Sequence, residues 1–283
     1  MTQELLKQLA DGPDADLKMP VLFIGHGSPM NAVEDNEFTR GWASVGESLP
    51  KPKAILCVSA HWETHGTQLT AMEKPRTIHD FGGFPPLLYR QQYPAQGSPW
   101  LAQETRDTVK KTPVELDHEW GLDHGCWSVL IRMFPKADVP VIQMSLDVHK
   151  RPQEHYDLAR ELAALRRKGV LILGSGSIVH NLRRVVIESG DFNDFNRPYG
   201  LDWALEANTI VKQHIDEGDH QALINYRALG RSLDLAVPTP EHYLPLLYTL
   251  ALKDDSDSIS YFNDKPVAGS LTMTCVRLDS NAQ

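Results

Sequence analysis

Val21-Leu22-Phe23-Ile24-Gly25-His26-Gly27-Ser28-Pro29 opens as an apolar run and stops at a histidine held between two glycines. A short, continuous apolar run of this kind reads as a strand buried on both faces, as in a parallel sheet. Ala54-Ile55-Leu56-Cys57-Val58-Ser59-Ala60-His61-Trp62-Glu63 repeats the pattern, with His61 just past the expected strand end. Val170-Leu171-Ile172-Leu173-Gly174-Ser175-Gly176-Ser177-Ile178-Val179-His180-Asn181 repeats it again, with a glycine-serine bend before His180. In open α/β sheets, ligands bind in the crevice outside the carboxyl ends of the strands. Three imidazoles delivered there suggest a metal site.

Working outward, strands are expected near 20–25, 53–60, 67–72, 139–145, 169–174 and 266–277. Helices are expected near 36–48, 98–111, 125–133, 152–167, 201–217 and 240–252. The clearest is Arg151–Lys168, where Pro152 suits a first turn, Leu158, Leu162 and Leu165 recur at helical spacing, and Gly169 can cap the end. Strands alternating with helices give an α/β fold: a single domain with a central, mostly parallel or mixed sheet flanked by helices. Residues 1–18 read as an N-terminal extension, a short amphipathic helix and linker, ahead of a domain spanning 19–283. The 73–100 stretch, rich in Pro, Gly and aromatics (Phe81, Phe84, Tyr89, Tyr93, Trp100), reads as a binding loop or lid.

The chain has 283 residues, 41% of them hydrophobic, enough for one large core. A net charge of −9 and a sequence pI near 5.7 argue against nucleic acid as a partner. No apolar run approaches the roughly 20 residues that span a bilayer, so no membrane partner is expected. The first residues lack a basic segment followed by an apolar core, so a signal peptide is not expected. Cys57, Cys126 and Cys275 stand in unrelated settings without a CxxC, so neither a disulfide framework nor a cysteine zinc site is indicated. A cytoplasmic location fits that usage. Gly174-Ser175-Gly176-Ser177 is not a dinucleotide fingerprint, there is no Walker lysine, and Gly27-Ser28-Pro29 is not a nucleophile elbow.

Two further stretches carry chemistry. Asp117-His118-Glu119-Trp120-Gly121-Leu122-Asp123-His124-Gly125-Cys126-Trp127 packs two histidines and three carboxylates before an apolar helix. His124 there is either a helix-cap histidine or a site residue that Asp123 orients through a ring nitrogen. In Thr239-Pro240-Glu241-His242-Tyr243-Leu244-Pro245, Thr239 can cap a helix, Pro240 can take its first position and Glu241 can complement its positive end, while His242 on that first turn could instead face the site; geometry decides which side chain points inward. His65, His79, His118, His149, His155, His214 and His220 read as surface or structural. A histidine-rich site without cysteine suits Zn, Fe, Cu or Ni, and a histidine that does not bind metal can move protons near neutral pH.

Taken in order, Gly25–Pro29, Ser59–Trp62, Leu122–Gly125, Gly174–Ser177 with His180-Asn181, and Pro240–Tyr243 resemble the DOPA 4,5-dioxygenase-like branch of the class III extradiol ring-cleavage dioxygenases. The resemblance implies a single α/β domain, a mononuclear non-haem Fe(II) site, and O2-dependent opening of a catechol such as L-DOPA beside one hydroxyl (4,5-cleavage). Its partners would be a small catecholic substrate and O2. Carried over by motif, His26 and His61 would be metal ligands, with His242 the third and Glu241 the fallback. His180 would be a catalytic acid/base beside the metal, or a further ligand in a zinc-loaded form. His124 would be catalytic on the substrate and oxygen side. Three imidazoles also suit Zn(II), so zinc is a plausible bound metal. Two rival readings remain: a zinc-dependent hydrolase using the same histidines, and a non-catalytic binding protein. Trp62 and the aromatics of 81–93 would either wall the catechol ring or pack the loop.

Overall fold

A four-stranded parallel core carries the molecule. The computed structural model describes residues 18–280. The expected N-terminal helix falls within 1–17, outside the described residues. The strands are β1 (Val21–Gly25), β2 (Ala54–Thr64), β3 (Thr67–Thr70), β4 (Val114–Asp117), β5 (Val141–Asp147), β6 (Val170–Gly176), β7 (Asp257–Phe262), β8 (Pro266–Val267), β9 (Leu271–Thr272) and β10 (Cys275–Ser280). Eight of them form one mixed sheet in the order β4-β3-β5-β2-β6-β1-β10-β7, while β8 and β9 pair separately. β5, β2, β6 and β1 run parallel. β3 meets β5 antiparallel at one edge, and β10 and β7 are antiparallel additions at the other.

Alternation along the central strands builds two cores. Val21, Phe23, Leu56, Val58 and Ile172 face one side and pack with Leu246, Leu247 and Leu250. Leu22, Ile24, Ile55, Cys57, Leu171 and Leu173 face the other and pack with Phe38, Trp42 and Trp127. Successive side chains on a strand point to opposite faces, so a run with no polar break must be covered twice. The longer helices do the covering: α1 (Glu37–Ser48), α2 (Pro99–Thr108), α3 (His124–Met133), α4 (Pro152–Glu161), α5 (Asp202–Glu217) and α6 (Leu244–Ala251). Asn36 caps α1 with a capping box to Thr39, and Asp123 caps α3 through the Cys126 amide.

Several boundaries differ from the sequence expectation, each for a local reason. The expected 152–167 helix breaks at Leu162 into α4 and a short helix Ala163–Arg167. The helix expected from 240 starts at Leu244, because Pro240–Tyr243 forms a turn whose carbonyl at Pro240 accepts from both Tyr243 and Leu244 amides. The strand expected over 266–277 is three pieces, broken where Ala268 and Gly269 adopt positive φ. Strand β6 runs through Gly176, so Gly174 and Gly176 belong to the sheet rather than to a bend. A Cβ on Gly174 would lie 2.4 Å from the Pro245 carbonyl oxygen, and one on Gly176 2.1 Å from that of His242. Glycine is therefore what lets the chain entering α6 press against β6.

The amino end of the sheet is tied by charge. Arg166, 1% exposed, donates to both carboxylate oxygens of Asp257 at 2.6 and 2.8 Å, and also to the Met19 and Leu252 carbonyls. Lys18 adds ion pairs to Asp254 and Asp257, both at 2.8 Å, so this residue is built into the body of the fold. Burial pushes the Asp257 carboxyl up, but Arg166 and Lys18 outweigh it and hold it below its ordinary 3.8. A carboxyl depressed in the folded state contributes stability above its unfolded pKa and loses it as pH falls through the folded value. Asp257→Ala should therefore cost about 3–5 kcal/mol in urea unfolding at neutral pH, since it leaves Arg166 buried and uncompensated. The gap between wild type and variant should narrow as the pH is taken well below 3.8.

Candidate metal centre

Five imidazoles from five separate segments meet at the carboxyl end of the parallel strands. His26 follows β1, and its amide donates to the Gly176 carbonyl at 3.1 Å. The chain turns sharply there: Gly27 has φ +58, and a Cβ on Gly25 would sit 2.7 Å from the Met273 carbonyl carbon. Buried Asn31 donates to the His26 carbonyl at 3.2 Å and fixes the turn. His61 lies inside β2 rather than beyond it. Pairing with β6 ends at Ser59, and register with β5 shifts between Val58 and Glu63, so His61 stands on a locally irregular stretch. His124 is the first residue of α3. A Cβ on Gly125 would lie 2.6 Å from Ser59 Oγ and 2.9 Å from His61 Cδ2, so this glycine admits the helix start to the cluster. His242 occupies the turn before α6, where its carbonyl accepts from the Ser177 amide at 2.8 Å. His180 follows β6, its amide bound to the Ala236 carbonyl at 2.8 Å.

The rings are in mutual contact. Ring centroids of His61 and His124 lie 3.9 Å apart, those of His61 and His242 4.9 Å, and those of His26 and His61 5.0 Å. His180 stacks on His242 at 3.5 Å with 8° between planes. Ligand atoms of His26, His61 and His124 lie within 4.8 Å of one another, and so do those of His180, Glu241 and His242.

Hydrogen bonds set the tautomers. Ser175 Oγ gives its single proton to the Gly125 carbonyl at 2.5 Å, so it accepts from His26 Nδ1–H at 3.0 Å. Glu241 Oε1 accepts from His242 Nδ1 at 3.1 Å, and also from Thr239 Oγ1 at 2.9 Å. Asp80 Oδ2 accepts from His124 Nδ1 at 2.9 Å. Each Nδ1 thus keeps its proton against an oxygen, and each Nε2 is left as a lone pair. His242 Nε2 is buried with no hydrogen-bond partner. His26 Nε2 stands 3.1 Å from His61 Nε2. An oxygen acceptor on one ring nitrogen and a free lone pair on the other is the arrangement of metal-bound histidines.

Burial keeps four of these rings, those of His26, His61, His180 and His242, neutral. Burial first, then the surrounding imidazoles, hold His26 and His242 well below the ordinary histidine value. His61 is pushed down to about 3 by burial and then by His124, against Asp80. His180 is pushed down to about 4 by burial, which outweighs the opposing charge of Glu241. A neutral imidazole is the form that binds a cation. The buried lone pairs and the all-nitrogen donor set fit a borderline divalent metal.

His26, His61, His124, His180 and His242 therefore come together as the sequence expected. His79 and His155 do not join them: His79 bonds the Gln91 carbonyl, and His155 bonds Tyr248 inside the core. One expectation changes. Asp123 does not orient His124, because its carboxylate is taken by Ser59, Gln143 and the Cys126 amide. The orienting group is Asp80, from the loop read as a lid; a carboxylate at Ile78-His79-Asp80-Phe81 carried no helical or strand period to betray it. Trp62 stacks on Trp120 at 5.6 Å, whereas Phe81 alone of the two reaches the cluster, 5.6 Å from the His124 ring. A cavity of about 480 Å³ opens elsewhere, beside Lys51, Trp100 and Pro140 before β5, and holds no imidazole.

Comparison with known proteins adds family context. A family model described as the catalytic LigB subunit of aromatic ring-opening dioxygenase matches residues 20–256. The chain is 48% identical over 265 residues to the 4,5-DOPA dioxygenase extradiol of Escherichia coli (strain K12), covering 92% of this chain and 95% of that protein. It is 38% identical over 231 residues to the 4,5-DOPA dioxygenase extradiol of Beta vulgaris, covering 79% and 83%. The crystal structure of an uncharacterized protein from Escherichia coli K12 superposes with a TM-score of 0.78 at 42% identity, covering 92% of this chain and 99% of that one.

Gly125→Ala tests the packing of the centre. Alanine is the better helix former by about 1 kcal/mol, yet its Cβ would meet Ser59 Oγ and His61 Cδ2. The variant should be less stable by about 1–3 kcal/mol, the ordinary cost of overpacking, and should bind Zn2+ more weakly in a calorimetric titration.

Proposed function

This chain belongs to the LigB family of aromatic ring-opening dioxygenases and is an extradiol ring-cleaving enzyme, and from that premise we propose that it opens a catechol bearing an amino-acid tail, such as L-DOPA, by 4,5-cleavage with O2. Two relatives that match over most of this chain carry the name 4,5-DOPA dioxygenase extradiol, which supports the choice of substrate. The proposed active metal is Fe(II), with Zn(II) a plausible occupant of the same ligands.

His26, His61 and His242 would hold the metal through Nε2. The observation that supports this is the buried, partnerless Nε2 of His242, on a ring whose centroid lies 5.3 Å from that of His26 and 4.9 Å from that of His61, with the His26 and His61 Nε2 atoms 3.1 Å apart. Glu241 supports His242 from behind, which favours the histidine over the carboxylate as third ligand. When bound, the metal lowers the pKa of a coordinated hydroxyl and brings catechol and O2 together.

The protein's remaining task is to move protons and exclude water. His180 and His124 are the imidazoles left over for proton transfer. His180 begins neutral, because burial holds it near 4, so it can take a hydroxyl proton from the catechol. The ring proton is returned as the ring opens, so that catechol and O2 become a muconic semialdehyde with no net gain or loss of protons or electrons. Positioned proton transfer contributes typically 10²–10⁴-fold. Phe81, edge-on to His124, offers an apolar wall beside that step.

The test is to load the protein with Fe(II) without air, add L-DOPA, admit air, and follow O2 uptake with the absorbance of a ring-opened product. Stoichiometric uptake, absent from a Zn(II)-loaded control, is expected. Turnover of an ester or amide with Zn(II) and without O2 would instead favour the hydrolase reading.

A further inference from the structure

The 73–100 loop is fastened to the centre before it reaches Asp80. Ile78 and Leu122 are joined by an amide-to-carbonyl bond of 2.7 Å, the Leu122 amide donates to the Arg76 carbonyl at 2.8 Å, and Trp127 Nε1 donates to the Ile78 carbonyl at 2.8 Å. Two residues on, Asp80 grips His124 twice. Its Oδ1 accepts from the His124 backbone amide and its Oδ2 from the His124 ring Nδ1, both at 2.9 Å. The two acceptor atoms are thereby assigned to different donors on one residue.

We infer that Asp80 is a positioning residue: its two-point grip fixes His124 as the Nδ1–H tautomer and leaves the Nε2 lone pair as the ring's working atom. The catalytic consequence rests on the ring-opening reading above; the tautomer does not. As a lone pair, Nε2 can accept a hydrogen bond or a proton from a substrate hydroxyl. Protonated on Nε2 at rest, it could not.

The double grip makes Asp80→Asn a directional test. The His124 amide must keep an oxygen acceptor, so the Asn side chain places Oδ1 there and turns its NH2 toward the ring. An NH2 donates, so Nδ1 must become the acceptor and the proton must move to Nε2. Size and shape are unchanged, so the fold should be kept; the one other ring facing the lost charge is His61, whose Nδ1 stands 3.8 Å from Asp80 Oδ2, and the His61 signal in the same spectra reports whether it is disturbed.

The experiment pairs spectroscopy with kinetics. Long-range ¹H–¹⁵N spectra of ¹⁵N-histidine-labelled, zinc-loaded protein, recorded where free imidazoles are neutral, should show His124 as Nδ1–H in wild type and Nε2–H in Asp80→Asn; the His124→Ala spectrum identifies the signal. In the iron-loaded enzyme, kcat with a catechol should fall about 10²–10⁴-fold in Asp80→Asn with KM little changed. Adding Asp80→Asn to His124→Ala should lower the rate no further, because the two act as one unit. An Nε2–H wild-type ring, a tautomer that does not change in the variant, or losses that multiply in the double variant would each overturn the inference. If the variant does not fold, the wild-type spectrum alone decides it. Wild-type protein that shows the Nδ1–H ring yet opens no catechol would count against the ring-opening reading and not against the tautomer.

Discussion

The centre depends on one close approach, the seating of the His242 carbonyl against strand β6. The Ser177 amide donates to that carbonyl at 2.8 Å, and Gly176 has no side chain to hold it off. Gly174 gives the Pro245 carbonyl the same access one step earlier. These contacts bring a segment more than 60 residues downstream in sequence to the end of the parallel core. His26 and His61 are already there, because they ride on β1 and β2, the two neighbours of β6. A side chain at either glycine would push α6 outward and take His242 with it. Glycine in a strand interior is costly on its own terms, so its use here is explained by what it lets approach.

Burying three imidazoles and half-burying two more is something a protein core does not ordinarily accept. Neutral rings avoid the charge penalty, and burial holds four of these rings well down. Neutrality alone leaves lone pairs unmatched, and His242 Nε2 is such an atom. Ser175, Glu241 and Asp80 each occupy a ring Nδ1 on His26, His242 and His124, so on those three rings the lone pair is on Nε2. A divalent cation would answer several of them at once. The fold thus has its acceptors outside the cluster and its lone pairs inside, which is the polarity a metal centre needs.

Much of this was readable from the chain. Val21–Ile24 and Val170–Leu173 lie in strands because uninterrupted apolar runs of that length must be covered on both faces. Histidines following them fall at the carboxyl ends, where α/β sheets bind ligands. Other features were hidden by their physics. Strands β4 and β7 are the two edges of the sheet, have mixed polarity, as in Val114-Glu115-Leu116-Asp117, and carry no strong period. The continuation of β2 through His61 depends on a register shift that only pairing with β5 defines. Asp80 could not be matched to His124 because the pair is 44 residues apart and Asp80 lies in a loop with no period of its own. The neighbour Asp123 looked the better partner, but an N-cap carboxylate points at its own helix's amides. Lys18 looked like part of an extension, yet it is drawn in by Asp254 and Asp257, which lie near the other end of the chain.

The central claim is that the Nε2 atoms of His26, His61 and His242 converge on one metal. Anomalous diffraction at the zinc edge from crystals of zinc-loaded protein addresses it most directly. The account requires a single strong peak at about 2.0–2.1 Å from those three nitrogens, and the same map would show whether His180 is a fourth ligand. A peak held by His124, or by Glu241 in place of His242, would contradict it.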